Sequence, residues 1–267
     1  MKIHDQPPPP SSPAPAGTDD SAGEGYGPTA PFYDLLAASW WDTLGPAVAS
    51  VLAGIDPAVG PLVDLGAGTG LSTLAAADAV VEAEVWAVEP EADMRTVLLS
   101  RLALRTDLHD RVTVVPADAQ RLAWPDRVAA VVAANMIGHL PPPDRRRLWA
   151  TLAERLAPGA PAVVGLQHPD RPVDLPPTRS AAARLGHDTY EGWSAAVPSG
   201  PASVRWTMTY RITRGGEIRH EAVTHFDWWT QSAADVAAEA RAAGLTCEPG
   251  PASHPDLPAL LVLRRPA

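Results

Sequence analysis

The sequence predicts an α/β protein. Its expected core is a doubly wound, seven-stranded, mostly parallel sheet, with a helical cap before it and an antiparallel hairpin inserted after the fifth strand. Three observations predict this. Short apolar runs alternate with helix-length segments between residues 61 and 166, the pattern of right-handed βαβ crossovers. A glycine bend, GAGTG at 66–70, joins the first such run to a helix. From residue 203 the apolar period changes to two on either side of Gly215-Gly216, which marks a hairpin.

Residues 1–31 hold eight prolines and four glycines. Such a segment buries too little apolar surface to offset its ordering entropy, so a disordered tail is expected. The stretch near Tyr26 is the part that would fold over a ligand. The ordered domain is expected over 32–267. It opens with the helical run FYDLLAASWWDTLGPAVASVLAGI, broken near Gly45-Pro46, because proline removes a helix donor. PLVDL (61–65), EVWAVE (84–89), RVTVV (111–115), RVAAVVAAN (127–135) and APAVVGL (160–166) read as five buried strands. Helices fill the gaps through Glu82, from Glu91 to Thr106 and from Pro143 to Leu156. Residues 169–202 are rich in proline and read as an excursion above the sheet. The hairpin follows, so that 169–230 forms a lid on the acceptor side. Matching its apolar sides favours a three-residue loop that pairs Ile212 with Ile218 and Val204 with Phe226. Ser232 caps a last helix that Gly244 ends, and LTCEP and ALLVLRR close the sheet.

The chain has 267 residues, 21 basic and 31 acidic, and a net charge of −10. That balance argues against a nucleic-acid coat, which needs concentrated positive charge. No apolar run is long enough to span a bilayer, and MKIHDQPPPP lacks the apolar stretch of a secretory signal. A cytoplasmic protein, monomeric or a homodimer, is therefore expected. The single cysteine, Cys247, excludes an internal disulfide. No His/Cys/Asp cluster has metal-ligand spacing, so no metal site is expected.

The chemistry is concentrated in a few positions. At Gly66, Gly68 and Gly70 the missing side chains permit a tight turn and a close backbone approach to a ligand. Glu89 ends the second strand, where a carboxylate can accept both hydroxyls of a ribose. Asp118 follows the third strand, placed to accept from the amino group of an adenine. A nicotinamide-binding fold would need G-x-G-x-x-G, and Leu71 stands where its last glycine belongs. An NAD-dependent oxidoreductase is thus the lesser alternative.

Taken in series, these motifs resemble the class I S-adenosylmethionine-dependent methyltransferases of small molecules, whose fold is Rossmann-like. VDLGAGTG is similar to their first motif, AVEPEADM to the acidic second-strand motif and ADAQRL to the third-strand motif. AANMIGHL is similar to the segment after strand four, LAPGAPAVVG to the approach to strand five, and the later DWWTQSAADVAAEARAAGL to a tail of many members. The resemblance implies S-adenosyl-L-methionine as donor and S-adenosyl-L-homocysteine as product. It implies donor contacts from Asp64, Gly66, Ala67, Gly68 and Gly70. Glu89 and Pro90 fall at the ribose, Met94, Asp118 and Ala119 at the adenine, and Asn135 and Met136 at the methionine part. Tyr33, in a "YD" start like that of family members, is the expected donor-side hydroxyl.

Two histidines qualify as a general base. His139 follows the fourth strand and His168 the fifth, both at the carboxyl edge where α/β folds bind ligands. The expected reaction is in-line transfer to a small molecule of specialised metabolism, with oxygen ahead of nitrogen or carbon as acceptor atom. The alternatives are a non-methylating step such as cyclisation and a nucleoside-sensing protein without catalysis.

Overall fold

The structure is a computed structural model and describes residues 23–251 and 259–266. The expectation of disorder for 1–22 lies outside the described residues. Order begins well before Phe32. A short strand β1 (Gly23–Glu24) leads through a 3-10 turn at Gly27–Thr29 into α1 (Ala30–Leu52). The expected break in α1 is absent, and Pro46 lies inside a continuous helix. Leu44, Val48 and Leu52, spaced one turn apart, are fully buried. Their burial outweighs the lost hydrogen bond at Pro46.

The winding then follows the expected order. It runs β2 (Leu62–Leu65), α2 (Leu71–Ala79), β3 (Val85–Val88), α3 (Ala92–Ala103), β4 (Val112–Val115), β5 (Ala130–Ala133), α4 (Pro142–Arg155) and β6 (Pro161–Leu166). Next come β7 (Leu175–Leu185), β8 (Asp188–Gly200), β9 (Ser203–Arg214) and β10 (Glu217–Trp229). The chain ends with α5 (Ala233–Ala242), β11 (Thr246–Pro249) and β12 (Ala259–Arg264). The seven-stranded sheet has the order β11-β12-β6-β5-β2-β3-β4. Only β11 and β12 run antiparallel to their neighbours in it.

Both faces of this sheet are covered, which is why its strands are apolar without alternating. Val63 and Leu65 face Trp149 and Leu152 of α4 and Val236 of α5. Leu62 faces the opposite way, with Leu44 and Val48 of α1 and Leu98 of α3. Side chains alternate along a strand, so Asp64 points with Leu62 towards α2. That parity matters for the site below.

The insertion is larger than a hairpin. β7 to β10 form an antiparallel meander, and β1 adds a parallel edge, giving the order β1-β10-β9-β8-β7. The proline-rich stretch read as irregular is mostly strand. Pro176 and Pro177 sit on β7, an edge strand, where a missing donor costs little, and Pro198 sits at a register shift. The hairpin register also differs from expectation. The loop is the two-residue Gly215-Gly216, pairing Arg214 with Glu217. A bulge at Arg219 then restores parity, pairing Trp206 with Phe226 and Val204 with Trp228. The bulge supplies the extra residue that a longer loop would otherwise provide.

Arg145 of α4, only 4% exposed, locks α4 to α5. Its Nε and Nη2 donate to Glu239 at 2.8 Å each, and its Nη1 donates to Gln231 at 2.7 Å. The Trp149 indole donates to the same carboxylate. Glu239→Ala leaves this guanidinium buried without its counter-ion, with only the Gln231 amide oxygen as partner. The expected loss is about 3–5 kcal/mol of unfolding free energy, measured by urea denaturation.

Candidate active site

The site is built on the bend between β2 and α2. Gly66, Gly68 and Gly70 have φ of 68°, 56° and 93°, a left-handed backbone that costs other residues energy. A Cβ at Gly66 would lie 2.8 Å from Met136, and one at Gly70 would lie 2.4 Å from Leu98. The Gly66 and Ala67 N–H groups both donate to the Val88 carbonyl.

Carboxylates hold this bend from three sides. Beneath it, Asp64 Oδ2 accepts from the Ser72 and Thr73 hydroxyls at 2.8 and 2.6 Å. Burial pushes the Asp64 carboxyl up to about 6, against those two bonds. Beside it, Glu89 accepts from Gly68 N–H at 2.7 Å and from Glu91 N–H at 2.8 Å. Glu89 is 6% exposed, and burial raises its pKa. Across it, Asp34 of α1 accepts from the Thr69 hydroxyl at 2.6 Å and pairs with Arg101 of α3. The Arg101 Nε donates to the Thr69 carbonyl, closing the clasp.

A second wall faces the bend across α1. Phe32 stacks on Tyr210 of β9, with centroids 5.1 Å apart. Tyr33 lies close enough to Tyr210 and Glu89 to feel their charge, and burial pushes its hydroxyl up to about 12. Burial does the same to Tyr210. Below them, Tyr26 stacks on Phe226 of β10, and its hydroxyl shares a 2.9 Å hydrogen bond with His139 Nε2. His139 also meets the Trp228 ring edge-on at 4.7 Å. Gly138 makes this contact possible, because a Cβ there would overlap the Trp228 indole at 1.9 Å. Burial lowers the His139 imidazole to about 4.

The structure brings together Gly66, Ala67, Gly68, Gly70, Glu89, Met94 and Met136, with Tyr33 near Glu89 and His139 against Tyr26. Met94 is buried, and its Cε lies 3.9 Å from where a Gly68 Cβ would be. Asn135 adopts a left-handed φ of 53°, and its amide oxygen is buried without a partner among the described residues. Such an orphan acceptor suits a ligand donor. The remaining candidates stand otherwise. Asp64 serves the start of α2. Asp118 accepts from the Arg121 N–H and pairs with its guanidinium. Pro90 is exposed, with its carbonyl accepting from Arg95. Ala119 lines a groove with Gln120, Trp124 and Leu140. His168 is exposed on the loop after β6.

Sequence reasoning did not assign Asp34 or Tyr210 a site role, and for Tyr26 it offered only that its stretch would fold over a ligand. Asp34 had a signal, since it adjoins Tyr33 in the "YD" pair. The partners of Tyr26 are more than a hundred residues away and could not be read from the chain. Among the described residues, no three His, Cys, Asp or Glu side chains converge to hold a metal ion, and no helix is long and apolar enough to cross a membrane.

Two outcomes follow from this geometry. Glu89→Ala should weaken S-adenosylhomocysteine binding by about 1.5–3 kcal/mol, the range for a charged hydrogen bond, in titration calorimetry, and Gly68→Val should abolish it. The second outcome concerns stability. Folding holds His139 below its ordinary 6.5, so the unfolded chain takes up more protons. Its contribution is complete above about 6.5 and is lost as the pH falls through about 4. Denaturation midpoints across that window should fall more steeply for the wild type than for His139→Gln.

Residues 62–159 match the family described as a methyltransferase domain. No curated protein sequence matches the chain. Among solved structures, the chain is similar to the sugar N-methyltransferase KedS8 from Streptoalloteichus sp. (19% identity over 96% of this chain and 99% of that one, TM-score 0.68). It is also similar to CalS10, an amino pentose methyltransferase from Micromonospora echinaspora involved in calicheamicin biosynthesis and solved with S-adenosylmethionine (20% identity, 84% and 91% covered, TM-score 0.66). A third likeness is to the glycopeptide N-methyltransferase MtfA in complex with S-adenosylhomocysteine (23% identity, 78% and 82% covered, TM-score 0.54). The chain therefore shares the fold of these methyltransferases, and residues 62–159 are the part that is similar to the methyltransferase-domain family.

Proposed function

We propose that this protein transfers the methyl group of S-adenosylmethionine to an amine of a small, sugar-bearing molecule of specialised metabolism. The observation that carries this reading is the Glu89 carboxylate bonded to the Gly68 N–H of a bare glycine bend. Each Glu89 oxygen accepts one backbone N–H, from Gly68 or from Glu91, and keeps a further lone pair for a ribose hydroxyl. The unpartnered Asn135 oxygen fits the donor's ammonium, and the Tyr33 hydroxyl fits its carboxylate. When bound, the donor supplies an electrophilic methyl on a sulfonium. The chain's residues then bind, align and exclude water, which for well-oriented reactants can be worth roughly 7–11 kcal/mol.

Nitrogen is favoured over the oxygen expected from sequence. A hydroxyl acceptor must lose a proton during attack, to a base whose pKa lies near the working pH. His139 is held at about 4, too weak for that task, and Tyr33 and Tyr210 near 12 stay protonated. His168 is exposed. A neutral amine needs no such base. Its lone pair forms the N–C bond, the C–S electrons return to sulfur, and the extra proton leaves to solvent. The neighbouring sugar and glycopeptide N-methyltransferases support the same choice. In this reading Tyr26 and His139 position the acceptor, because their shared hydrogen bond sits between the bend and the aromatic wall. The exposed cyclisation alternative has no observation of its own in its favour.

The test is a screen of amine and hydroxyl acceptors with labelled donor. Methyl incorporation into amines is expected, and incorporation into hydroxyls alone would refute the nitrogen assignment. With an accepted amine, Tyr26→Phe and His139→Gln should keep donor affinity within about twofold. Their kcat should fall by about 10²-fold, the order expected of a misplaced reactant. The wild-type rate should rise with pH until the acceptor amine is deprotonated.

A further inference from the structure

We infer that the acceptor carries no phosphate, so that the amine is methylated on a molecule already free of a nucleotide leaving group. The inference rests on the methyl-transfer reading above and concerns the charge its acceptor wall can tolerate. The meander separates charge by face. Tyr190, Trp206, Tyr210, Phe226 and Trp228 contact α1 or the His139 turn, or pack with residues that do, and define the inner face. Alternation then puts Ser194, Ala196 and Met208 on the same side.

Among the described residues, no arginine, lysine, aspartate or glutamate falls on this inner face between the hairpin tip and the Val204–Trp228 pair; its one titratable imidazole, His220, is stacked on Phe32 with centroids 6.2 Å apart. The arginines of the strands are turned away and occupied. Arg179 pairs with Glu191, Arg211 with Glu221 and Arg205 with Asp227. Arg211 also lies over the Trp193 ring on that outer face. At the tip, Arg214 is fixed to Asp188 by two bonds of 2.7 and 2.8 Å. Arg95 and Arg101 reach the bend from α3, but both are committed, Arg95 to the Glu89 and Pro90 carbonyls and Arg101 to Asp34 and the Thr69 carbonyl. Glu89 and Glu91 both act on the buried Tyr26 hydroxyl. A pyrophosphate placed between that wall and those carboxylates would lose its water, find no uncommitted arginine or lysine among the described residues of the meander and meet like charge. An amine meets aromatic faces and carboxylates, both of which favour positive character.

The acceptor's place in a reaction sequence follows. If the amine is on a sugar, the reaction that supplies it is a glycosyl transfer, or another step that has already expelled the nucleoside diphosphate. Methylation is then late, on the assembled molecule.

The test uses the full chain saturated with S-adenosylhomocysteine, which blocks the donor crevice against nucleotides. Pyrophosphate, uridine diphosphate and thymidine diphosphate are titrated into it by calorimetry up to millimolar concentration. No saturable binding is the expected result. Saturable binding of any of the three overturns the inference while leaving the methyl-transfer reading intact. The same titration into Arg171→Ala then shows whether that exposed arginine beyond β6 is the cation responsible. Failure of S-adenosylhomocysteine itself to bind overturns the methyl-transfer reading, and this inference with it.

Discussion

Everything else in the molecule depends on a glycine bend that cannot hold itself. With φ positive at Gly66, Gly68 and Gly70, the segment gains no regular backbone ladder of its own. Asp64, Glu89 and Asp34 arrive from a buried strand, from the end of the next strand and from the N-terminal helix. Each accepts from a different group of the bend or of the helix it starts. The cost is visible in the titration of Asp64 and Glu89, both raised by burial. A desolvated carboxylate is tolerated where donors point at it. The same arrangement puts carboxylates beside the bend, which suits the hydroxyls of a ribose.

Asp34 makes the donor and acceptor sides a single piece. It joins the bend through Thr69 and α3 through Arg101, and it neighbours Phe32 and Tyr33, which meet the antiparallel sheet. Movement of α1 away from the bend therefore moves the aromatic wall as well. The opposite edge is fixed by packing. Trp228 lies over the bare Gly138, and His139 is wedged between it and Tyr26. The short segment before α1 completes this edge, with Gly25 and Gly27 packed against the Glu91 and Asp93 side chains and Thr224 donating to the Gly25 carbonyl.

The parallel half was legible because its signals are local. Strands buried on both faces read as continuous apolar runs, and the bend declares itself by its glycines. What was missed is non-local. Order before Phe32 comes from Tyr26 stacking on Phe226, which proline counts cannot reveal. The continuity of α1 past Pro46 comes from the sheet beneath it. The meander was obscured by prolines that an edge strand accommodates, and its register by one bulge at Arg219 that no composition rule places. The residues proposed for the donor were placed by the same local signals, since the glycine bend, Glu89 and Asn135 come just after strands, whereas Tyr33 and Met94 lie on helices. The two histidines looked equivalent in sequence and differ only in burial.

That burial has a consequence for charge. In the proposed reading, an imidazolium at the His139 position would stand near the donor's sulfonium. Two unit charges about 4 Å apart repel by roughly 4 kcal/mol at an effective dielectric constant near 20. Burial among Tyr26, Phe226 and Trp228 keeps the ring neutral at working pH. On that reading, the enclosure that disqualifies His139 as a base would also protect a cationic donor from repulsion. The ring keeps the task that its geometry shows, which is to hold Tyr26 through their 2.9 Å hydrogen bond, and in the proposed reaction Tyr26 in turn holds the acceptor in line.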